Sequence, residues 1–286
     1  MAAQSVVQLF YNPASGSYSP RRIRALAQAL EAEGAEVVET PSVDGPPVVS
    51  DRATHVCIAG GDGTVRHVAM NLARCGRSLP AAIFPAGTVN LLAREGSFRR
   101  SAAACARELL AASSGLPHHP VALGETMFLA CASAGPDSLA VAGVTPRLKR
   151  RIGRLAYAVA FLAVLWNWPR PRLKLLANGA EVDCEAVYVA KGRYFAGPWS
   201  FAPKARVGER LLHVLALPTA RRRDYLRFVW TLLRGRDPGA SAGAIAFTCT
   251  ELRLSGEDGF PVQADGDVVA HSPVDFAIGS APIHFR

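Results

Sequence analysis

The sequence predicts an α/β N-terminal domain, a parallel sheet with helices on both faces, over residues 1–120. A C-terminal antiparallel β-sandwich domain is predicted over residues 121–286. Three observations carry this reading. Up to about residue 112, short apolar runs alternate with amphipathic stretches of helical period. After Pro120 the pattern changes to many short apolar or alternating runs punctuated by turn residues, with two helical stretches among them. In the first part, three loops rich in Gly, Pro and hydroxyl residues each follow an apolar run, which puts them at one sheet edge, where open α/β sheets bind ligands. The last residues can return to the first domain.

In chain order, residues 6–11 read as a strand, followed by a loop over 12–19. Ser19 caps a helix with Pro20 at its first position; Ile23, Leu26, Ala27 and Leu30 form its apolar face and Gly34 ends it. Residues 37–40 read as a second strand. The apolar run 55–59 reads as a third and opens onto Gly60-Gly61-Asp62-Gly63-Thr64. Val65, Val68, Ala69 and Leu72 then fall at helical spacing, with Thr64 where an N-cap belongs. Residues 81–84 make a fourth strand that opens onto Pro85-Ala86-Gly87-Thr88, and a helix over 102–112 follows.

In the second half, residues 121–123 and 127–132 read as strands around Gly124-Glu125. Residues 173–177 and 181–190 flank Asn178-Gly179, a strong hairpin signal. Further strands are expected over 211–217, 245–254, 260–264 with 268–270, and 274–278, and helices over 148–167 and 224–234. His118 and His119, before Pro120, read as a surface linker.

The chain is organised around residues 58–65. Three glycines in four positions let the backbone turn sharply and approach a ligand. A strand, a bare turn and a helix start direct unpaired N–H groups and a helix dipole at one point, which suits an anion. Asp62 does not fit a loop that binds phosphate alone. Its carboxylate would repel phosphates unless a cation such as Mg²⁺ lay between them, so the pair suggests a metal–nucleotide site.

Gly60-Gly61-Asp62-Gly63-Thr64 resembles the signature of the diacylglycerol kinase catalytic-domain family, which includes the bacterial lipid kinases and the sphingosine kinases. Asn12-Pro13-Ala14-Ser15-Gly16, Pro85-Ala86-Gly87-Thr88-Val89-Asn90 and Asp265-Gly266-Asp267 match the same pattern in order. The family is distantly related to NAD kinases and phosphofructokinases, so the resemblance implies an NAD kinase-like first domain. It also implies ATP and Mg²⁺ as cofactors, with Asn12, Pro13, Ser15, Gly16, Thr40, Gly60, Gly61, Asp62, Gly63, Thr64, Gly87, Thr88 and Asn90 at the nucleotide. Asp62 would join the magnesium network and Asp267 would be the catalytic base. Taken alone, residues 12–16 and 265–267 also read as plain turns.

The chain departs from the family pattern at several positions. Asp267 stands where the family has Glu, shorter by roughly 1.5 Å of reach. Arg66-His67 replaces Asn-Glu, and Leu91 replaces Asp. His213 stands in place of an Asp in the stretch that resembles the family's structural metal site, so that auxiliary site is expected to be absent or rebuilt.

Composition bounds the partners. The 286 residues carry a formal charge of +9, which favours anionic partners. Six scattered cysteines, with no pair at metal-ligand spacing, suit a reduced, cytoplasmic protein, and no secretory signal is visible. The longest apolar run, 155–166, is short of the roughly 20 residues of a membrane span. Two basic blocks, Arg147-Leu148-Lys149-Arg150-Arg151 with Arg154, and Arg221-Arg222-Arg223, lead into aromatic-rich helices. They suggest peripheral contact with an anionic surface at the inner membrane face. No nucleic-acid motif is present, and a homodimer is allowed.

The chain is thus expected to be an ATP-dependent lipid kinase acting on diacylglycerol, a sphingoid base or a related lipid alcohol. Asp62 and Asp267 would face each other across a cleft between the domains. Two competing readings keep part of this: a kinase of a small soluble alcohol, and a non-catalytic binder of nucleotide or lipid.

Overall fold

The computed structural model describes residues 4–42, 47–87, 89–96, 98, 101–111, 115–145, 152–153, 155–241 and 243–286. The chain divides into two compact units, Met1–His118 with Ala281–Arg286, and His119–Ser280.

The first unit is built on a six-stranded sheet of order β2-β1-β3-β4-β18-β5. Its strands are β1 (Val6–Tyr11), β2 (Glu36–Pro41), β3 (His55–Gly60), β4 (Ala81–Pro85), β5 (Leu116–His118) and β18 (Ile283–Phe285). Pairing is parallel from β2 to β18, and only β5 runs antiparallel, against β18. The central strands β1, β3 and β4 are apolar at nearly every position because both sheet faces are covered. Helices α1 (Pro20–Ala32) and α4 (Ala102–Leu110) bury Ile23, Leu26, Leu30, Cys105 and Leu109 against Val7, Leu9, Cys57 and Phe84 on one face. Helix α2 (Asp62–Arg74) packs on β3 and β18 through a buried stripe that includes Val65, Val68 and Leu72. A short helix, α3 (Leu91–Glu95), follows β4.

Two expectations are corrected here, for Thr64 and His118, and that for Ser19 is met by its position alone. Helix α2 starts at Asp62 with Gly61 as its N-cap, so Thr64 lies inside the first turn. Ser19 is the N-cap of α1, but its carbonyl accepts the amides of Arg22 and Ile23 and its hydroxyl makes no cap bond. His118 is not a surface residue: it is buried in β5 with its ring edge-on to Phe285. The β5–β18 pair was invisible in sequence because each strand is only three residues long.

The second unit is a sandwich of two antiparallel six-stranded sheets, β10-β9-β14-β17-β6-β7 and β13-β12-β11-β8-β15-β16. The first sheet comprises β6 (Val121–Leu123), β7 (Thr126–Phe128), β9 (Leu173–Ala177), β10 (Ala180–Cys184), β14 (Glu251–Gly256) and β17 (Val274–Ile278). The second comprises β8 (Cys131–Ala134), β11 (Ala186–Ala190), β12 (Leu212–Leu217), β13 (Ile245–Cys249), β15 (Pro261–Ala264) and β16 (Asp267–His271). Alternate residues of both sheets, among them Phe128, Leu175, Val189, Val214, Leu254 and Phe276, interdigitate in one core. Helices α5 (Pro136–Ala142), α6 (Leu155–Trp166) and α7 (Arg222–Leu233) complete the described part of the unit. Tyr225, Phe228 and Leu232 of α7 cover the outer face of the second sheet over Tyr188 and Leu215.

The Asn178-Gly179 hairpin is present, with φ of 52° and 74° and Ala177 opposite Ala180. Three runs expected as single strands, 127–132, 181–190 and 245–254, are instead each cut in two. The breaks fall at Leu129-Ala130, Glu185 and Thr250, and at each one the chain passes from one sheet of the sandwich to the other. Hydropathy continues through these corners because both halves face the same core. The predicted helix over 148–167 is seen as α6, while residues 146–151 and 154, with the basic block 147–151, lie outside the described residues.

Candidate functional site

In the first unit the loops after β1, β3 and β4 are tied to one another. Asn12 Oδ1 accepts the Ala14 amide (2.8 Å), closing a turn through Pro13, and Asn12 Nδ2 donates to the Thr64 hydroxyl (3.4 Å). The Ser17 amide donates to the Ala86 carbonyl (3.1 Å), and the Ala86 amide to the Gly60 carbonyl (3.0 Å). Arg22 reaches from α1 to the carbonyls of Ser17 and Pro85, its guanidinium lying over the Phe84 ring. Asn90, left-handed at φ 55°, clasps its own loop: Oδ1 accepts the Gly87 amide and Nδ2 donates to the Gly87 carbonyl, both at 2.8 Å. Neither Arg22 nor Ser17 was legible as part of this arrangement in the sequence.

The glycines also serve contacts within the protein. None of Gly60, Gly61 and Gly87 has a positive φ. A methyl group on Gly61 would lie 3.1 Å from the Gly87 α-carbon, and one on Gly87 would overlap Gly61 and the Asn90 side chain. One on Gly60 would lie 2.5 Å from Thr64 Cβ. Gly61 and Gly87 let the backbone of one loop pack against that of the next, and Gly60 makes room for Thr64.

The remaining residues of the first unit fall around this contact. Asp62, half-buried at the first position of α2, accepts the Leu92 amide through Oδ1 (3.2 Å), capping α3 from outside. Gly63 and Thr64 complete the first turn, where helical geometry provides no intrahelical acceptor for the amides. Ser15 and Gly16 lie in the partly exposed turn after β1. Thr40, on β2, accepts from the buried Gln8 amide (3.1 Å). Thr88 lies outside the described residues. A half-exposed acid, a hydroxyl in an open turn and a helix N-terminus form a donor set that fits a magnesium–triphosphate group.

In the second unit, Asp265-Gly266 forms the two-residue turn between β15 and β16, with φ of 50° and 89° and Ala264 paired with Asp267. The Asp265 carboxylate is buried and accepts three backbone amides, Leu129 and Ala130 at 2.9 Å and Cys131 at 3.3 Å. It therefore pins the hairpin to the corner at which β7 becomes β8. The Gly266 amide donates to Gln263 Oε1 (3.2 Å), and Tyr157 of α6 donates to the Gly266 carbonyl (3.2 Å). Asp267 follows as the first residue of β16, half-exposed. Asp62 lies in the first unit and Asp267 in the second.

A polar chain runs inward from this turn. Gln263 Nε2 donates to Ser133 Oγ (2.6 Å), and Ser133 donates a short hydrogen bond to Asp137 Oδ2. The other oxygen, Oδ1, is buried and makes no hydrogen bond of ordinary geometry among the described residues. The Tyr188 hydroxyl, which shares a hydrogen bond with the Tyr225 hydroxyl (2.9 Å), lies close enough to act on this carboxylate. Burial pushes the Asp137 pKa up to about 6, against the opposing pull of the Ser133 hydroxyl. Ser133 and Gln263, polar residues in apolar strands, were the sequence signal for this network.

The structural metal site implied by the family pattern does not fit this chain. The imidazole of His213 stands where the acid would be, its Nε2 buried without a partner among the described residues. Burial lowers its pKa, and the nearby Lys191 and Lys204 act in the same direction against the opposing pull of the Glu209 carboxylate. A neutral ring beside ammonium groups supplies no charge for a divalent ion.

A parallel α/β sheet with cross-tied loops at its strand ends, joined in one chain to an antiparallel sandwich, is the architecture of NAD kinase-like phosphotransferases. This chain belongs to the diacylglycerol kinase catalytic-domain family, a family of lipid kinases: residues 6–116 match the diacylglycerol kinase catalytic domain and residues 130–284 the YegS C-terminal NAD kinase beta sandwich-like domain. A protein of Pseudomonas aeruginosa PAO1 named "Probable lipid kinase YegS-like" is 30% identical over 232 residues, covering 79% of this chain and 74% of that one. A Mycobacterium tuberculosis protein named "Diacylglycerol kinase" is 26% identical over 285 residues, covering 93% and 90%. In fold, the crystal structure of a diacylglycerol kinase from Bacillus anthracis Sterne matches with a TM-score of 0.79 at 17% identity, over 100% of this chain and 98% of that one.

Two predictions follow from the second unit. Asp265→Asn places an NH₂ group against buried amides and is expected to cost about 2–4 kcal/mol in chemical denaturation, whereas Asp267→Asn should change stability by no more than about 1 kcal/mol. The second concerns Asp137, whose folded pKa of about 6 exceeds its ordinary 3.8, so the folded state holds this proton more tightly than the unfolded state. Stability from this group is therefore lost as pH rises from about 4 to about 6. Relative to Asp137→Asn, the wild type should lose roughly 3 kcal/mol over that interval and no more above pH 7, measured by denaturation at each pH.

Proposed function

We propose that this chain transfers the γ-phosphoryl group of ATP to the hydroxyl of a membrane lipid: diacylglycerol, a sphingoid base or a related lipid alcohol. The observation that carries this reading is the mutual tying of the three motif loops at the strand ends of the first unit. In this reading residues 1–120 bind the nucleotide and residues 121–286 the lipid, with the last strand returning to the first sheet. The phosphates would be held by the first-turn amides of α2 and by the turn Asn12-Pro13-Ala14-Ser15-Gly16, with Thr88 adding a hydroxyl. Thr40 would lie toward the nucleoside end. Gly61 and Gly87 give the loops their close approach, Gly60 leaves room for the Thr64 side chain, and Asn90 holds the last loop in shape.

Mg²⁺, when bound with ATP, would neutralise charge on the phosphates, and Asp62 is the residue proposed to anchor it. Asp267 is proposed as the general base that takes the proton of the lipid hydroxyl. The turn that carries it is restrained at three points, by Asp265, Gln263 and Tyr157, and that rigidity suits a carboxylate that must come within about 3 Å of its target.

The second unit carries a surface suited to a bilayer. Along α6, Leu155, Val159, Leu162 and Trp166 are exposed on one stripe; along α7, Leu226, Trp230 and Leu233 are exposed. The helices are neighbours, since Phe161 packs on Tyr225 and Arg222 donates to the Trp166 carbonyl (2.7 Å). Exposed Arg222, Arg223, Arg227 and Arg234 lie on α7 and at its end. Apolar side chains flanked by guanidinium groups favour a peripheral seat on an anionic membrane, at the cytoplasmic face for a lipid kinase fed by ATP. Tyr157, on this same α6, braces the Asp267 turn.

Incubation with labelled ATP, Mg²⁺ and a total lipid extract, beside an arm of soluble alcohols, should label a lipid. Asp267→Asn should lower turnover about 100-fold or more while leaving ATP affinity within about twofold. Label on soluble alcohols alone would favour the small-alcohol kinase, and ATP binding without turnover in the wild type would favour a binding protein. In sedimentation with vesicles, the protein should bind phosphatidylglycerol-containing membranes better than zwitterionic ones. The double substitution Trp166→Glu with Trp230→Glu should weaken that binding about tenfold or more, leaving the phosphorylation of detergent-dispersed short-chain lipid intact.

A further inference from the structure

Lys191 follows the apolar strand β11 and is fully buried. Its ammonium donates to three main-chain carbonyls of a single loop: Val207 at 2.7 Å, Arg206 at 3.3 Å, and Glu209 by a short hydrogen bond. Carbonyl oxygens turned toward one point repel one another unless a cation lies among them, and backbone carbonyls are ligands that hard metal ions use. The backbone of the same segment is fixed as well, since the Lys191 and Gly192 amides both donate to the Ala130 carbonyl (2.9 and 3.0 Å). The Ala130 amide is one of those held by Asp265, so the main chain of Lys191 is fastened to the same residue that anchors the Asp267 turn.

The surroundings argue against a second cation. Ala190 pairs with His213 across β11 and β12, so the imidazole adjoins the lysine. These three acceptors of the ammonium are carbonyls, and the imidazole beside it is held neutral by burial. We infer that the carbonyls of 206, 207 and 209 form a cation site whose permanent occupant is the Lys191 ammonium, so that this chain carries a tethered cation in place of a bound metal. A burial of this kind is tolerable because the charge keeps a full set of acceptors. The inference concerns the fold of the second unit and stands whether or not the chain is a kinase. It implies that any magnesium dependence of activity belongs to the nucleotide alone.

Thermal unfolding of the full chain tests this directly. The wild-type midpoint is expected to be unchanged by EDTA and by millimolar Mg²⁺ or Ca²⁺. Lys191→Met, which keeps much of the volume and removes the charge, should lower the midpoint by about 5 °C or more. Lys191→Ala vacates the cage, and its midpoint should rise with added K⁺ or methylammonium but not with choline at equal ionic strength. A wild-type midpoint that falls in EDTA or rises with a divalent ion would overturn the inference, and that arm requires no variant to fold. So would a Lys191→Met protein as stable as the wild type, or a Lys191→Ala protein indifferent to small cations.

Discussion

Gly61 and Gly87 lie so close that a methyl group on Gly87 would overlap Gly61 and one on Gly61 would crowd Gly87, and the rest of the first unit's candidate site depends on that contact. It brings the loop after β3 against the loop after β4, where the Ala86 amide can reach the Gly60 carbonyl. Asn90 then closes the second loop on itself and starts α3, whose first-turn amide at Leu92 is met by Asp62 from the start of α2. Two helix N-termini are thereby held near one carboxylate. A larger side chain at either glycine would separate the loops even where the sheet beneath them survived.

The second unit relies on the same economy of form, with an acid in place of glycines. The sandwich is made by strands that leave one sheet and enter the other, and such corners expose backbone amides to a dry interior. At the β7–β8 corner Asp265 supplies the missing acceptors. Because the residue doing this also turns the β15–β16 hairpin, the position of Asp267 is set by the core. Lys191 extends the pattern: it satisfies carbonyls at a neighbouring loop as Asp265 satisfies amides.

Much of this was legible in the sequence, for physical reasons that also explain what was not. Buried parallel strands are continuous apolar runs, so β1, β3 and β4 and the loops after them stood out. Asn178-Gly179 and Asp265-Gly266 announced turns because few residues accept a left-handed backbone. The corners at Leu129-Ala130, Glu185 and Thr250 left no mark, since hydropathy reports burial and not which sheet a residue joins. Three-residue strands such as β5 and β18 fall below any periodicity. The partners of Asp265 and Lys191 lie far along the chain or within irregular loops, and only the oddity of a charge beside an apolar run hinted at them. The N-cap of α2 was placed three residues late, at Thr64, because the extended N-cap there is a glycine, which carries no capping side chain to signal it.

The central claim is that three loops distant in sequence act as one nucleotide-binding surface. Hydrogen exchange of the full chain with and without Mg–ATP tests it most directly. The account predicts slower exchange at residues 12–17, 60–65 and 86–92 together, at the same nucleotide concentration, with the effect lost in Gly87→Ala. Protection confined to one of these loops, or found only elsewhere in the chain, would contradict it.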